Sequence, residues 1–455
     1  MLISLLLALV IPHFSMAAPT PAAPVGKRFE QLEIFNKVLH LVENQYYRPV
    51  DVDKLIEGAL KGMLETLDPH SAFLNKDYYQ RMQNDTSGEF GGLGIEVASK
   101  DGAIMVLTPI EDTPAARAGI KPKDRIVEIN HENIVGMGLE QAIEKMRGKV
   151  GQTTHLAVSR DGVDGLKHFN IKREIIKVNP VKAELLSGGI SYVRLSQFQR
   201  RAAESVEAEL KKHAAAAKKT GGIHGVILDM RANPGGLLDQ AVDLSSLFLR
   251  EGVVVSTEAR DPQNKDIRYV KKQGWKDLDT PIVVLINGGS ASASEIVAGA
   301  LQDYGRAIIM GSQSFGKGSV QSVAPLGADT AIKLTIAQYL TPKGRRIQGV
   351  GITPDVPVDD VDTTAFAKAQ LPDRYMRERD LRNHLSAGKE TPDEMRLREE
   401  QDKLDRQRRM EAFEKRQKEL KEDDRPNRVG DDYQINRAAD LLRALRVLRP
   451  EAKQG

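Results

Sequence analysis

Cysteine is absent from this 455-residue chain. Disulfide bonds, thiolate metal centres, a cysteine nucleophile and a lipid-modified N-terminal cysteine are therefore excluded. Aromatic residues amount to only 5%, which argues against a base-stacking surface for nucleic acid. Basic residues exceed acidic residues by 66 to 63, an excess too small for electrostatic capture of nucleic acid. What remains is a globular chain, long enough for about three domains, whose chemistry would use serine, lysine, histidine or carboxylates.

An uninterrupted apolar run begins the chain, from Leu2 to Ile11, and Ser15-Met16-Ala17 follows it. The run is too short to span a bilayer, but it fits the apolar region and cleavage site of a signal peptide, which we place at residues 1–17. No lysine or arginine precedes Lys27 to form the usual basic start of a signal peptide, and a buried N-terminal helix is the alternative. Because the chain lacks cysteine, export predicts a periplasmic protein, with membrane association left open.

Two amphipathic helices are predicted within a helical region at residues 27–86. The first runs from Arg28 to Tyr47 and the second from Val52 to Leu67. The second ends before Asp68-Pro69, because proline disfavours a helical residue in front of it. Neither helix carries residues with obvious chemistry, so their expected role is packing or dimerisation.

Residues 88–173 combine short β-rich runs with glycine-rich turns. The motifs Gly92-Leu93-Gly94-Ile95 and Pro114–Ile120, with a predicted helix from Leu139 to Met146, resemble a PDZ domain, a module that binds the C-terminal carboxylates of peptides. The resemblance implies that Leu93, Gly94 and Ile95 hold the end of a substrate tail. Free N–H groups in such a loop suit an anion, and the strand that follows can pair with an extended peptide. A plain turn is the alternative for the loop alone.

Residues 174–365 alternate continuous apolar runs with helical segments. The runs at 224–230, 281–286 and 306–310 lack polar alternation, which predicts strands buried on both faces. Helices are expected between these strands, at 237–249 and 293–304. The predicted fold class is therefore α/β and multidomain, with a layered core.

The final region, 366–455, is dominated by charge, since residues 373–428 contain 17 basic and 16 acidic side chains. Such alternation is typical of a solvated helix held by weak i,i+4 pairs. A short apolar helix from Ala438 to Leu448 follows, and we expect it to dock on the core or on a partner.

Three serines, Ser290, Ser292 and Ser294, lie where the strand at 281–286 leads into the helix expected at 293–304. A serine at a helix N-terminus sits where free N–H groups and the helix dipole stabilise a developing oxyanion. The structural alternative is a helix-capping serine. The spacing alone does not choose among the three hydroxyls.

Lys317 lies between two glycines, just before a predicted strand from Ser319 to Val323. The segment Gly311-Ser-Gln-Ser-Phe-Gly316-Lys317-Gly318 is close to a phosphate-binding loop. That loop needs serine or threonine where Gly318 stands, and it needs a helix next, so nucleotide binding is disfavoured. A lysine carried into an apolar site would have a lowered pKa and could act as the general base for a serine.

Other hydrolytic chemistries find little support. None of the nine histidines supports a Ser-His triad, and His224 is best explained as a structural side chain. No metal-ligand spacing of the HExxH type occurs, so neither a metal nor a cofactor is expected. The loop from Asp229 to Gly236 could direct glycine N–H groups at a carbonyl oxygen, and a tight strand-to-helix turn is its structural alternative.

Taken together, the motifs resemble the carboxyl-terminal processing peptidases, the tail-specific serine proteases of bacteria and plastids. The resemblance covers about residues 32–361. It implies an α/β core related to the Clp protease and crotonase group, a PDZ domain inserted ahead of it, and helical N- and C-terminal segments. The shared motifs, in chain order, are Leu67-Asp-Pro-His-Ser-Ala-Phe-Leu74, Asp229-Met-Arg-Ala-Asn-Pro-Gly-Gly236, Gly289-Ser-Ala-Ser-Ala-Ser-Glu-Ile296, Gln302-Asp-Tyr-Gly-Arg-Ala307, Phe315-Gly-Lys-Gly-Ser-Val-Gln321 and Gly349-Val-Gly-Ile-Thr-Pro-Asp355.

The resemblance also implies roles for single residues. Ser292 matches the nucleophile, Lys317 the general base, and Gln321 the residue that helps to position the lysine. Gly236 and Ala293 match the main-chain donors of the oxyanion hole. The implied reaction is cleavage near the C-terminus of exported proteins with accessible tails. An adaptor protein and further copies of the chain are expected partners. A binding scaffold on an inactive core and an acyl-CoA enzyme are the competing classes.

Overall fold

The computed structural model describes residues 25–100, 102–359 and 432–448. The predicted signal peptide and the charged segment at 373–428 lie outside the described residues. The chain divides into two compact units, residues 1–63 and residues 64–455. No helix in the described ranges is both long and apolar enough to cross a membrane.

The first unit contains the two predicted N-terminal helices. Helix α1 spans Val25–Gln45, and α2 begins at Val52 and ends at Glu65, just past the unit's boundary. Both helices are confirmed. The apolar stripe of α1 is largely exposed, however, since Leu32, Phe35 and Val38 are 57%, 45% and 54% accessible. The periodicity therefore predicted the helix, while none of the described residues buries the apolar stripe that it marks.

The second unit begins with strand β1 (Ala72–Leu74) and helix α3 (Lys76–Ser87), and its PDZ-like part follows. In this part the helix predicted from Leu139 to Met146 is confirmed with the same bounds. Its elements are β2 (Glu89–Gly92), β3 (Ile95–Lys100), β4 (Ala103–Pro109), α4 (Pro114–Ala118), β5 (Arg125–Ile129), β6 (Glu132–Asn133), α5 (Leu139–Met146), β7 (Thr153–Ser159), β8 (Leu166–Lys172) and β9 (Glu174–Lys177).

This PDZ-like part has an antiparallel sheet in the order β3-β4-β5-β7-β8, with β6 paired to β5. One face of the sheet packs with α4 and α5 around a separate apolar core that includes Leu93, Ile126 and Leu156. Strands β2 and β9 form a separate two-stranded antiparallel sheet, and so join the entry and exit of the domain. Strand β3 stands at one end of the sheet order, which places the Leu93-Gly94-Ile95 loop at an edge.

The α/β core occupies the remainder of the second unit. Its elements are β10 (Val181–Leu186), β11 (Ile190–Leu195), α6 (Ala202–Ala217), β12 (Gly225–Asp229), α7 (Leu238–Phe248), β13 (Val253–Ala259), β14 (Ile267–Tyr269), β15 (Ile282–Ile286), α8 (Ala293–Asp303), β16 (Ile308–Gly311), β17 (Ser319–Pro325), β18 (Ala331–Leu340), β19 (Val356–Pro357) and α9 (Tyr433–Leu448).

The main sheet runs β10-β11-β12-β15-β16-β19 and is parallel from β11 onward. Every residue of β12 and β15 is buried, as continuous apolar runs predict. In a sheet of this kind, ligands bind at the carboxyl ends of the strands. The Asp229–Gly236 and Ser290–Ser294 motifs lie at that end, where the chain leaves β12 and β15.

A second sheet carries the lysine segment. Its order is β1-β18-β13-β14, and β17 pairs with β18. Gln321 of β17 lies opposite Thr335 of β18, while Ala72 of β1 lies opposite Lys333. Strand β1 and the strand that follows Lys317 thus pair with the same strand, β18, from its two sides.

Helix α9 docks on the main sheet, which confirms one of the two positions expected for the C-terminal helix. Its residues Ile435, Ala438 and Leu442 are buried against Ile227 and Leu285. Burying such side chains stabilises the docked helix by about 25 cal/mol for each Å² of apolar surface removed from water.

Candidate active site

Ser292 stands at the first turn of α8, at the carboxyl end of β15. Its backbone has φ 55° and ψ −112°, which is uncommon for a residue with a Cβ atom. Such strain persists only where the surroundings hold it, and it is concentrated at functional sites. The turn reverses the chain between strand and helix and leaves the serine at the helix N-terminus.

The structure separates the three candidate serines by what their hydroxyls bond. Ser290 Oγ donates to the Met230 carbonyl at 2.8 Å, and Ser294 Oγ donates to the Asn233 carbonyl at 3.0 Å. Both serines are completely buried. Among the described residues, Ser292 is the one of the three whose hydroxyl proton is not given to a main-chain carbonyl. Ser292 is therefore the candidate nucleophile on structural grounds.

The loop after β12 presents Gly236 to the same place. Phe198 N–H donates to the Gly235 carbonyl, and Leu237 N–H donates to the Phe198 carbonyl, at 2.9 and 2.7 Å. In a parallel bridge of this kind the central residue, here Gly236, directs its own N–H away from the partner strand. The N–H of Ala293 is free for a different reason, because the first residues of a helix have no intrahelical acceptor. Within the described ranges, neither N–H has an acceptor.

Gly235 shows how closely the two loops approach each other. A Cβ atom at this position would lie 2.8 Å from Ser292 Cβ and 2.9 Å from the Ala293 nitrogen, and φ is +95°. Only glycine fits both the space and the backbone conformation. The loop that carries Gly236 is thus packed directly against Ser292 and Ala293.

Asn233, which sequence reasoning did not single out, fastens these loops together. It is completely buried, and its carbonyl accepts bonds from Ala291 N–H and Ser294 Oγ, both at 3.0 Å. Its side chain donates to the Leu195 carbonyl at 2.8 Å and accepts from Gly235 N–H at 2.9 Å. A buried polar side chain with all these partners fixes loop geometry at little desolvation cost.

Glu295 joins the nucleophile turn to the lysine loop, and it too was not assigned a role from the sequence. Its Oε2 atom accepts the main-chain N–H groups of Ser292 and Lys317, each at 2.8 Å. Its Oε1 atom accepts Gly316 N–H at 2.7 Å and Ser314 Oγ. Burial raises the pKa of Glu295 to about 7, although these four hydrogen bonds oppose the rise. The sequence signal was Glu295 at the third position of a capping-box pattern, which indicated only helix capping.

Lys317 is half-buried in the loop before β17, and Gln321 follows it on that strand. The Gln321 side chain donates to Ser319 Oγ at 2.8 Å and to Thr335 Oγ1 at 3.4 Å. With the amide nitrogen occupied in this way, the amide oxygen is the group left to accept a hydrogen bond. The roles of Lys317 as base and of Gln321 as its positioning residue remain predictions.

Asp68 is hydrogen-bonded to the strand pair β17–β18 through Thr335. Thr335 Oγ1 donates to Asp68 Oδ1 at 3.1 Å, and Ser71 Oγ donates to Asp68 Oδ2 at 2.7 Å. Burial by itself would raise the pKa of Asp68, but the hydrogen bonds from Ser71, from His70 N–H and from Thr335 outweigh it and hold the pKa below its usual value. The Leu67–Leu74 motif thus connects, through Thr335, to Gln321.

The Asp229 carboxylate anchors the first residues of the oxyanion loop. It is completely buried and accepts hydrogen bonds from Arg231, Tyr192 and Arg194. Burial would raise the pKa of Asp229, but its bonds to Arg231 outweigh the burial and lower it. Arg231 also donates to both oxygens of Asp432, at 3.0 and 2.9 Å. Asp432 precedes α9, so the C-terminal helix is tied to the loop.

The predicted tail-binding loop lies at the open edge of the PDZ-like sheet. Strand β3 pairs with β4 on one side, is the end strand of the sheet, and contacts α5. Carbonyls of Leu93 and Gly94 accept Ala115 and Ile110 N–H groups at 3.0 and 2.9 Å, but no acceptor within the described residues takes the N–H of Leu93 or Gly94. A strand edge beside a loop with unused donors suits an extended peptide that ends in a carboxylate.

Comparison with known proteins gives three family matches. Residues 189–358 match peptidase family S41, residues 82–159 match the PDZ domain, and residues 15–78 match the N-terminal domain of the activating protease CtpB. A carboxy-terminal-processing protease of Bartonella bacilliformis is 45% identical over 80% of this chain and 82% of its own length. The carboxy-terminal processing protease CtpA of Bacillus subtilis is 34% identical over 81% of this chain and 75% of its own length.

Among solved structures, a photosystem II D1 C-terminal processing protease is similar, with 29% identity and a TM-score of 0.42. The match covers 73% of this chain and 88% of that protein. The layered α/β core, with a serine at a helix N-terminus and a PDZ domain before it, defines a PDZ-containing serine peptidase. The chain belongs to the carboxy-terminal processing proteases of peptidase family S41. The predicted fold class and enzyme class are both confirmed.

Proposed function

We propose that the enzyme is an endopeptidase that cleaves near the C-terminus of exported proteins with a Ser292–Lys317 dyad. The observation that carries the proposal is the shared contact with Glu295. Because one carboxylate oxygen accepts the main-chain N–H groups of both residues, at 2.8 Å each, the serine turn and the lysine loop form one rigid site. A buried acceptor of this kind holds catalytic groups in place without occupying their side chains.

The reaction begins with proton transfer from Ser292 Oγ to the neutral Lys317 amine, and the oxygen attacks the substrate carbonyl carbon. The tetrahedral oxyanion accepts hydrogen bonds from the free N–H groups of Gly236 and Ala293. When the C–N bond breaks, Lys317 returns the proton to the leaving amine. Water then attacks the resulting ester, with Lys317 as base, and regenerates Ser292. Each oxyanion donor typically contributes about 3 kcal/mol to stabilising the transition state.

Gln321 supports the lysine in this mechanism. Its amide nitrogen is held by Ser319 Oγ and Thr335 Oγ1, so its carbonyl oxygen keeps a fixed direction. A fixed acceptor favours a single rotamer of the flexible lysine side chain. Holding a base in one orientation recovers entropy that the reaction would otherwise lose.

The PDZ domain supplies substrate selection. A substrate's terminal carboxylate would accept the N–H groups of Leu93 and Gly94, and its last residues would pair with Ile95 and the rest of β3. Binding of this kind selects proteins with free, extended tails over folded C-termini. We place the enzyme in the periplasm, where an adaptor that delivers substrates and further copies of the chain are its proposed partners.

The test is turnover of a purified protein with an apolar C-terminal tail, followed by mass spectrometry of its fragments. Ser292→Ala and Lys317→Ala should each lose at least about 10³-fold in rate, since an isolated nucleophile or base retains little catalysis. The exposed Lys265→Ala variant is the matched control and should keep full activity. Undiminished cleavage by either dyad variant would contradict the proposal. Binding without any cleavage by the wild-type chain would favour the scaffold class.

A further inference from the structure

The outer face of the PDZ-like sheet carries three histidines and a glutamate on neighbouring elements. Glu128 lies on β5, His131 in the turn between β5 and β6, His155 on β7 and His168 on β8. Glu128 is in register with Ala157, and Ala157 is in register with His168, so both side chains share one face. His155 is two residues from Ala157 on the same strand and therefore shares that face as well.

These side chains are close enough to share one ion. Ligand atoms of Glu128, His131 and His155 all lie within 4.8 Å of one another. The rings of His131 and His155 stack with centroids 4.0 Å apart, and His168 Nδ1 is 3.2 Å from His155 Nε2. Within the described part of the chain, His155 Nδ1 is buried and has no hydrogen-bond partner.

We propose that Glu128, His131 and His155 form a binding site for a divalent transition metal, with Zn²⁺ as the best match. Two imidazole nitrogens and one carboxylate are a common protein ligand set for Zn²⁺, which leaves one position for water. His168 contacts the ring nitrogen of His155 that would not bind the metal. A partner at that second nitrogen fixes the orientation of a ligating ring.

The backbone already constrains two of the three ligands. Asn130 N–H donates to the His155 carbonyl at 2.8 Å, and His155 N–H donates to Asn130 Oδ1 at 3.1 Å, so the turn is tied to β7. Asn130 and His131 have φ values of 51° and 65°, the conformation of a tight two-residue hairpin turn. Lone pairs lie in the ring plane, so the exposed His131 ring turns out of the stack when both rings bind one ion.

The site is separate from the proposed chemistry. Strands β7 and β8 are at the opposite end of the sheet order from β3, where the tail would bind. A bound metal would cross-link the β5–β6 turn to β7 and so stabilise the PDZ fold. The spacing 128, 131, 155 follows no local motif, because the ligands come from different elements. The sequence therefore gave no reason to expect it.

Isothermal titration calorimetry of the full-length, chelator-treated chain with ZnCl₂ tests the site, with MgCl₂ as the metal control. We expect one Zn²⁺ per chain with a Kd in the micromolar range or tighter, and no Mg²⁺ binding, since Mg²⁺ prefers oxygen ligands. His131→Asn suits the turn, because asparagine tolerates positive φ, and it should weaken Zn²⁺ binding at least about 10-fold. His155→Gln should have the same effect. His40→Ala, on α1, is the matched histidine control and should bind like wild type.

Thermal melting gives a second readout that does not depend on activity. Zn²⁺ should raise the Tm of the wild-type chain and leave that of the His131→Asn variant unchanged, because a ligand stabilises only the fold that binds it. Equal Tm values without metal show that the variant is folded. Absence of Zn²⁺ binding to wild type, or binding that both variants retain in full, would overturn the proposal. Neither result would bear on the Ser292–Lys317 dyad.

Discussion

Glu295 accepts the main-chain N–H of Lys317 at 2.8 Å through the same oxygen that accepts the N–H of Ser292. A single buried carboxylate therefore fixes the distance between the segment that carries the proposed nucleophile and the segment that carries the proposed base. Neither side chain of the dyad is used for this purpose. The geometry of the site is thus set by the hydrogen bonds that two main-chain N–H groups donate to Glu295.

Replacement of the Glu295 carboxylate tests whether its hydrogen bonds to the two loops are needed for catalysis. In Glu295→Gln the side-chain amide nitrogen can no longer accept a hydrogen bond, so two of four donors lose their partner. We expect kcat to fall by about 10- to 100-fold, because small displacements of catalytic groups are costly. KM for a tailed substrate should change little. Glu251→Gln, at an exposed position, is the control. A kcat within about two-fold of wild type would show that the link is not needed.

The raised pKa of Glu295 makes a prediction for stability against pH. Its pKa is about 7 in the folded chain against an ordinary value of 4.5. Between these values the folded chain keeps a proton that the unfolded chain has released, so the free energy of unfolding falls as pH rises through this window. The effect is on the order of 3 kcal/mol at most. Urea unfolding of wild type and Glu295→Gln between about pH 4.5 and pH 7 measures it. Parallel curves for the two proteins would contradict the prediction.

The loop at Gly235 lies so close to Ser292 that adding one methyl group at Gly235 should strongly reduce activity. Gly235→Ala would place a Cβ 2.8 Å from that of Ser292, so the oxyanion loop must move away. We expect at least about a 10²-fold loss of kcat, comparable to loss of an oxyanion donor. Gly274→Ala is a matched control, since φ is +103° there and nothing lies within 4 Å. The kcat for peptide hydrolysis is measured for both variants. An equal loss of kcat in both would mean that backbone strain alone, and not contact with Ser292, causes the effect.

The hydrogen bond from Gln321 to Thr335 is tested by an isosteric substitution of Thr335. Thr335→Val removes the hydroxyl that accepts from Gln321 and donates to Asp68. The Gln321 amide is then held less firmly in one orientation. Because its oxygen is proposed to position Lys317, kcat should fall by about 3- to 10-fold with little change in KM. Thr108→Val, on the exposed part of β4, is the control. A change in KM with kcat preserved would place Thr335 in substrate binding instead.

Tail recognition is tested at Gly94. A Cβ there would lie 2.3 Å from Thr113 Cβ, and φ is +80°, so alanine should displace the loop that offers its N–H groups. We expect KM for a tailed protein to rise about 10-fold, while hydrolysis of a short peptide without a tail-binding sequence stays unchanged. Gly102→Ala in the same domain has φ +75° but open space, and serves as the control. Equal loss on both substrates would show that the loop does not select tails.

Much of the fold follows from the amino-acid pattern. The apolar runs at β12 and β15 were recognisable because both faces of these strands are buried, so no polar residue interrupts them. Helix α5 also has its predicted bounds, Leu139–Met146. Helix α1 was equally clear, but its exposed stripe shows that periodicity reports amphipathic character and not what covers it.

The site was harder to predict because its contacts are long-range. Three serines lie at the start of α8, and only the partners of Ser290 and Ser294 on the β12 loop distinguish them from Ser292. Asp68 reaches Thr335 across more than half of the chain, which no local spacing can reveal. Family resemblance supplied the assignment of Ser292 that residue chemistry alone left open.

The central claim, nucleophilic attack by Ser292 with Lys317 as base, is tested most directly by trapping the acyl-enzyme. Wild-type enzyme would be mixed with a slowly hydrolysed ester of a tail peptide, quenched in acid, and mapped by tandem mass spectrometry. The account predicts that the acyl group is attached to Ser292 and that Lys317→Ala forms no adduct on the same time scale. Acylation of Ser290 or Ser294, or an undiminished rate of adduct formation in Lys317→Ala, would contradict it.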